Sequence, residues 1–114
     1  MIDYNNKRFR SVETSENGEV NGETIFHYWQ EGNVVWATYK GGNITFGNLV
    51  AKVDRNGNLD MLYQHVNSEG MMQTGKCKSV PEQLEDGRIR LHESWEWTSG
   101  DQSKGESVVE EIAI

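Results

Sequence analysis

Glu93 is the residue whose setting could most readily do chemistry. Its neighbours at every second position are large and apolar: Ile89, Leu91, Trp95 and Trp97. On the buried face of a strand, desolvation raises the pKa of a carboxyl group unless a cation reaches it. The candidate cations are Arg8, Arg10 and His65. We therefore predict that Glu93 is a ligand anchor or a general acid, and a buried structural ion pair or hydrogen bond is the alternative.

A second group of polar side chains shares a face with apolar ones. Tyr63 and His65 alternate with outward residues in the same way as Leu59 and Met61. Aromatic walls with a few convergent polar groups are typical of small-molecule pockets. The predicted ligand-binding residues are Trp36, Tyr63, His65, Glu93, Trp95 and Trp97, with Tyr28 as a further wall residue. The alternative is that these aromatic residues fill a solid core.

Cys77 also points inward in this pattern, because Lys76 and Lys78 must point to water. A nucleophilic cysteine would need a base and an orienting group, and His65 and Glu93 could supply them. No sequence signature of a catalytic cysteine flanks Cys77. We interpret it as a small buried side chain.

The three histidines, His27, His65 and His92, show no short metal-ligand spacing. The segment Asp54–Asn58 resembles a calcium loop but lacks the downstream glutamate, so we interpret it as a turn. Gly41 and Gly42 are predicted to form a hairpin turn rather than a phosphate-binding loop. We expect neither a metal nor another cofactor.

Short aromatic and β-branched runs separated by Asn-Gly and similar turns must position these residues. The predicted strands are Lys7–Glu13, Glu23–Gln30, Asn33–Tyr39, Asn43–Val53, Asn58–Val66, Met71–Ser79, Arg88–Thr98 and Gly105–Ile112. One helical turn is plausible, around Pro81–Glu85. Short connections predict an all-β, antiparallel up-and-down meander, which closes into a barrel if its edges pair. Gly47 and Gly75 would make room inside it for aromatic rings.

Composition excludes several classes of protein. The chain has 114 residues and a formal net charge of -7, with one cysteine. We expect a single domain over residues 1–114. The acidity argues against nucleic acid and anionic membranes as partners, and no run is apolar enough to span a membrane. The first seven residues, Met1–Lys7, have no apolar signal-peptide region, so the expected location is cytoplasmic.

Four stretches, Thr24–Asn33, Gly57–His65, Thr74–Ser79 and Arg88–Trp95, resemble a family of short uncharacterised bacterial proteins. Its members commonly carry the label N-acetylglutamate synthase. A synthase of the acetyltransferase type binds acetyl-CoA on a mixed α/β domain, with the pyrophosphate on a glycine-containing loop that opens a helix. This sequence has no such loop or helix. The resemblance offers no established catalytic residues to transfer.

The sequence therefore predicts a lipocalin-like (calycin-like) barrel of about eight strands. Its leading predicted function is non-enzymatic binding of a small, partly apolar ligand inside the barrel. One alternative is an enzyme that uses acid–base chemistry at Glu93 and His65. Another is a structural or protein-interaction module, including a homodimer, with Ile25, Trp29 and Val35 on an outer apolar patch.

Overall fold

The computed structural model describes residues 2–113, and the described chain is built from strands and turns. The alternation of apolar and polar residues produces eight strands, each with one face toward the interior. They are β1 Lys7–Thr14, β2 Ile25–Glu31, β3 Val34–Gly41, β4 Ile44–Val53, β5 Leu59–Asn67, β6 Met72–Gln83, β7 Ile89–Trp97 and β8 Lys104–Glu111. Within residues 2–113, no helix is long and apolar enough to cross a membrane.

Each strand pairs antiparallel with the next, and β1 pairs with β8 to close the barrel. The predicted all-β, eight-stranded up-and-down barrel is confirmed. Closure gives every strand a partner on both sides, which removes the exposed edges of an open sheet. The tight turns include glycines at positive φ, such as Gly57 with φ of 85° in the β4–β5 turn.

The predicted helical turn at Pro81–Glu85 is wrong, because β6 continues through Pro81 to Gln83. The reason lies in the register. The β5–β6 pairing ends at Ser79, whereas β6 stays paired with β7 through Pro81 opposite Leu91. Proline has no N–H to donate, and beyond Ser79 no β5 residue is paired with it, so the missing donor is tolerated there.

The two ends of the barrel are covered differently. At the end where β1 begins, Tyr4 is fully buried and donates a hydrogen bond from Oη to the carbonyl of Gly57 at 2.6 Å. Phe9 and Tyr28 pack beneath it, with ring centroids 4.9 Å apart. At the opposite end, the mouth, lies the loop between β1 and β2, residues 15–24. The candidate site lies between this loop and the closed end.

Candidate ligand-binding site

An internal cavity of about 50 Å³ lies below the β1–β2 loop. Such a cavity can hold a few water molecules, because each needs roughly 10–15 Å³ of cavity volume. Its wall contains aromatic, small and polar residues from loop and strands: Thr14, Gly18, Glu19, Val20, Phe26, Tyr39, Leu49, Met61, Tyr63, His65, Cys77, Glu93, Trp95, Trp97 and Ser107. The interior beside this cavity is thus mostly filled by side chains, and the surface that lines the remaining small space is largely apolar with a few polar groups.

Two tryptophans from β7 form part of the apolar wall. Trp95 and Trp97 are each 8% exposed, and their ring centroids lie 5.4 Å apart. Tyr63 meets Trp97 edge to face at 5.8 Å. These rings fit because their cross-strand neighbours are glycines: Gly75 lies opposite Tyr63 and Trp97, and Gly105 lies opposite Trp95.

The predicted space-making role of Gly47 and Gly75 is confirmed. A Cβ added at Gly47 would collide with the Tyr39 ring, and one at Gly75 would collide with the Tyr63 ring. Gly105 has the same function toward Trp95, which was not predicted from the sequence. The signal that could have found it is the small residue alternating with Ser107 and Val109 on the inner face of β8.

Glu93 lies on the inner face of β7, as predicted, and is held by two hydroxyl groups. Ser79 Oγ donates to Oε2 at 3.0 Å, and Ser107 Oγ donates to Oε1 at 3.2 Å. Burial raises the pKa of Glu93 from 4.5 to about 7, against the two serine hydrogen bonds, which lower it. The interior therefore favours the protonated form of Glu93 up to a higher pH than water does.

The predicted cationic partners of Glu93 are wrong. Arg8 and Arg10 lie on the exposed outer face of β1, because the inward positions there are Phe9 and Ser11. His65 is held by other groups. Among residues 2–113, no hydrogen bond joins His65 to Glu93, so the structure does not assemble the acid–base pair that the enzyme alternative needs.

His65 is buried on the inner face of β5 near the mouth, with two partners. Its Nδ1 lies 2.9 Å from Tyr39 Oη, and its Nε2 lies 2.7 Å from Glu19 Oε1. An ionised carboxylate can only accept, so Nε2 carries the hydrogen and Nδ1 of a neutral ring accepts from the tyrosine. Burial raises the pKa of Tyr39, which keeps this hydroxyl protonated and able to donate.

Glu19 is a functional candidate that sequence reasoning missed. It comes from the β1–β2 loop, and its second carboxylate oxygen accepts from Asn67 Nδ2 at 3.0 Å. The loop carries no apolar periodicity that would place a particular side chain over the mouth. No pattern in the sequence distinguishes Glu19 from Glu16 or Glu23, so only the fold identifies it.

Cys77 is buried, and its Sγ lies 3.7 Å from Ser79 Oγ. Burial raises the pKa of the thiol, chiefly by desolvation and then through the nearby Glu93 charge. Within the described chain, it has no hydrogen bond to His65. This environment suits the small buried side chain that we predicted and disfavours a thiolate.

Trp36, predicted as a wall residue, lies on the outer face of β3 and is 37% exposed. Both faces of its hairpin are apolar, so alternation did not settle the direction. Trp36 and the residues paired in line with it on neighbouring strands form an outer stripe across β2 to β5. The stripe consists of Trp29, Trp36, Val50 and Leu62. The predicted outer patch also needs correction, because Val35 is fully buried.

The other predicted site residues, Tyr63, His65, Glu93, Trp95 and Trp97, all border the same cavity. Their role in binding a ligand stays a prediction. Nowhere in residues 2–113 do three or more His, Cys, Asp or Glu side chains converge as a metal site would require.

A closed, eight-stranded up-and-down barrel around an aromatic and polar interior is a calycin-type barrel. A family model described as "Avidin-like protein" matches residues 2–112. The chain therefore belongs to the Avidin-like family. Searches of curated proteins and of solved structures find no match.

Proposed function

We propose that this barrel binds a small, partly apolar ligand in the space between the β1–β2 loop and Glu93. The observation that supports the proposal is the cavity itself. It combines the tryptophan wall with polar groups that converge from different strands, Glu93 at one side and His65 at the mouth. Membership of the Avidin-like family agrees with a binding role for the interior.

The size of the cavity sets a condition on binding. Pockets for drug-sized ligands occupy roughly 300–1,000 Å³, whereas the cavity here is about 50 Å³. Gly18, Glu19 and Val20 form its outer wall. Binding of anything larger than a small fragment therefore requires this part of the loop to move outward, while the strands remain in place.

The test is a thermal-shift screen of small, partly apolar compounds combined with tryptophan fluorescence. The panel includes biotin because of the family to which the chain belongs. We expect a bound compound to raise the melting temperature and to change the emission of Trp95 and Trp97, since these rings line the cavity.

Two matched variants test whether the ligand binds inside the barrel or on its outer face. Trp97→Leu should weaken binding about tenfold or more, because loss of a buried aromatic contact costs on the order of 1–3 kcal/mol. Trp36→Leu changes the same residue type on the outer face and should leave affinity unchanged. Equal losses in the two variants, or a screen in which no compound shifts the melting temperature, would refute interior binding.

The outer stripe favours a second candidate, self-association. It places four apolar side chains side by side on adjacent strands and ends at Lys76, opposite Leu62. A second copy could cover the stripe with its own stripe around a twofold axis. Light scattering during size exclusion tests this idea: Leu62→Lys should convert a dimer to monomer, and Val80→Lys, on a different strand, should not. A monomeric wild-type protein at all concentrations would exclude it.

A further inference from the structure

The mouth of the barrel holds a carboxylate that belongs to the chain itself. The Glu19 side chain is 25% exposed and turns back from the β1–β2 loop onto His65, whose side chain is 1% exposed. Each carboxylate oxygen accepts one hydrogen bond, from His65 Nε2 at 2.7 Å and from Asn67 Nδ2 at 3.0 Å. A surface loop thus inserts an anionic group between two donors of the barrel wall.

The two donors are fixed without help from Glu19. The Tyr39 hydroxyl is hydrogen-bonded to the other ring nitrogen of His65, Nδ1. The Asn67 side-chain oxygen accepts from the backbone N–H groups of Glu69 and Met71, each at 3.0 Å, which turns Nδ2 toward the mouth. If Glu19 left, the wall would keep a preorganised pair of donors, and buried donors without acceptors are unfavourable.

Few interactions keep the Glu19 carboxylate in this position. Among residues 2–113, no lysine or arginine lies within ion-pair distance of its carboxylate, which is held by the two hydrogen bonds from His65 and Asn67. The rest of the loop is attached nearby, since Trp97 Nε1 donates to the carbonyl of Asn17 at 3.1 Å. A local movement at Glu19 therefore requires two hydrogen bonds to be exchanged, and an incoming group can replace both.

We infer that His65 and Asn67 form a carboxylate subsite, that Glu19 occupies it in the free protein, and that the ligand is a small monocarboxylic acid whose carboxylate displaces Glu19. This inference rests on the proposed function, because the ligand's remaining atoms enter the cavity below. There the wall is Trp97, Trp95 and Met61. The tail must be apolar or neutral, since a second carboxylate would meet Glu93.

The first experiment is chemical rescue of Glu19→Ala. Removing the tethered carboxylate leaves the subsite empty, so we expect a lower melting temperature that acetate restores in a saturable way. Acetamide, which has the same shape without the charge, and sodium chloride at equal ionic strength should not restore it. Glu19→Gln, which still fills the space, and Glu16→Ala, an exposed position in the same loop, should show no specific response to acetate.

The second experiment compares hexanoate with hexanamide, by isothermal titration or by NMR. Hexanoate should bind Glu19→Ala about tenfold or more tighter than wild type, because a tethered competitor acts at a high effective concentration. Asn67→Ala added to Glu19→Ala should abolish both this gain and the acetate response. Hexanamide should bind the wild type and Glu19→Ala equally weakly.

The outcomes separate the two proposals. Equal binding of hexanoate and hexanamide, or equal effects of acetate and chloride on Glu19→Ala, would overturn the carboxylate subsite and leave interior binding intact. Rescue by acetate with no binding of any longer compound would support the subsite and overturn the proposed function. If Glu19→Ala does not fold, NMR on the wild type still tests the subsite, since hexanoate should bind it more tightly than hexanamide and equal binding would overturn the subsite.

Discussion

Replacing Glu93 by glutamine should change how stability depends on pH. The folded-state pKa of Glu93 is raised to about 7 from its ordinary 4.5. Between these values, the folded protein keeps a proton that the unfolded chain has lost. Stability is therefore fully present below about pH 4.5 and falls as pH rises toward 7 and beyond. Glutamine cannot ionise, so Glu93→Gln removes this loss while keeping the shape of the side chain.

The size of the effect follows from the pKa displacement. A shift from 4.5 to about 7 corresponds to about 3 kcal/mol, at roughly 1.4 kcal/mol per pH unit. Glu93 keeps some accessible surface where it borders the cavity, so solvation of the anion makes this an upper figure. The serine hydroxyls that donate to the carboxylate can rotate to accept from the amide, so the variant retains partners.

The assay is urea unfolding of both proteins at intervals from pH 4 to 8. The free energy of unfolding of Glu93→Gln relative to wild type should rise by up to about 3 kcal/mol across this range, equivalent to roughly 10 °C in melting temperature. Other carboxyl groups also make stability depend on pH, such as Asp86, whose pKa is lowered by its hydrogen bonds to Arg88. Their contributions are the same in both proteins and cancel in the difference. Glu96→Gln, on the outer face of β7, is the matched control and should track wild type. A flat difference between Glu93→Gln and wild type would refute the burial argument.

Three further predictions concern packing and reactivity. Gly75→Ala should destabilise the protein by about 1–3 kcal/mol in urea unfolding, because its methyl group would collide with the Tyr63 ring. Gly22→Ala, with ordinary van der Waals space around it, should cost far less. Cys77 should react with a thiol reagent only after denaturation, since burial raises its pKa, and rapid labelling of native protein would contradict this. Tyr4→Phe should cost about 1–2 kcal/mol by leaving a turn carbonyl without its buried donor, whereas an unchanged urea midpoint would argue against that role.

Alternation made the barrel and much of its interior predictable from sequence. On β7 the alternate residues Arg90, His92, Ser94 and Glu96 are all polar or charged, and on β5 Asp60 and Gln64 mark the outer side, so the opposite face of each strand is the predicted buried one. That pattern placed Tyr63, His65, Glu93 and Trp97 on the inside, where the structure has them. The turn residues then fixed short connections, from which the antiparallel order follows.

The remainder depended on information that a local pattern does not contain. β3 is apolar on both faces, so hydrophobicity could not tell that Trp36 points outward. Glu19 acquires its contacts only when the loop folds over residues more than forty positions away, His65 and Asn67. The partners of Glu93 are likewise contributed by other strands, and their hydroxyl groups give no charge signal in the sequence.

The closure of the barrel has a consequence for the order of folding events. Seven of the strand pairs join neighbours in sequence, whereas the β1–β8 seam brings Phe9 opposite Glu111. Joining ends about a hundred residues apart costs on the order of 4 kcal/mol in chain entropy, so the hairpins should form first and the seam last. Until then β1 and β8 are both unpaired edges, and β8 of one molecule can accept β1 of another. Refolding at high protein concentration should therefore yield strand-exchanged oligomers, and dilution should favour the monomeric barrel.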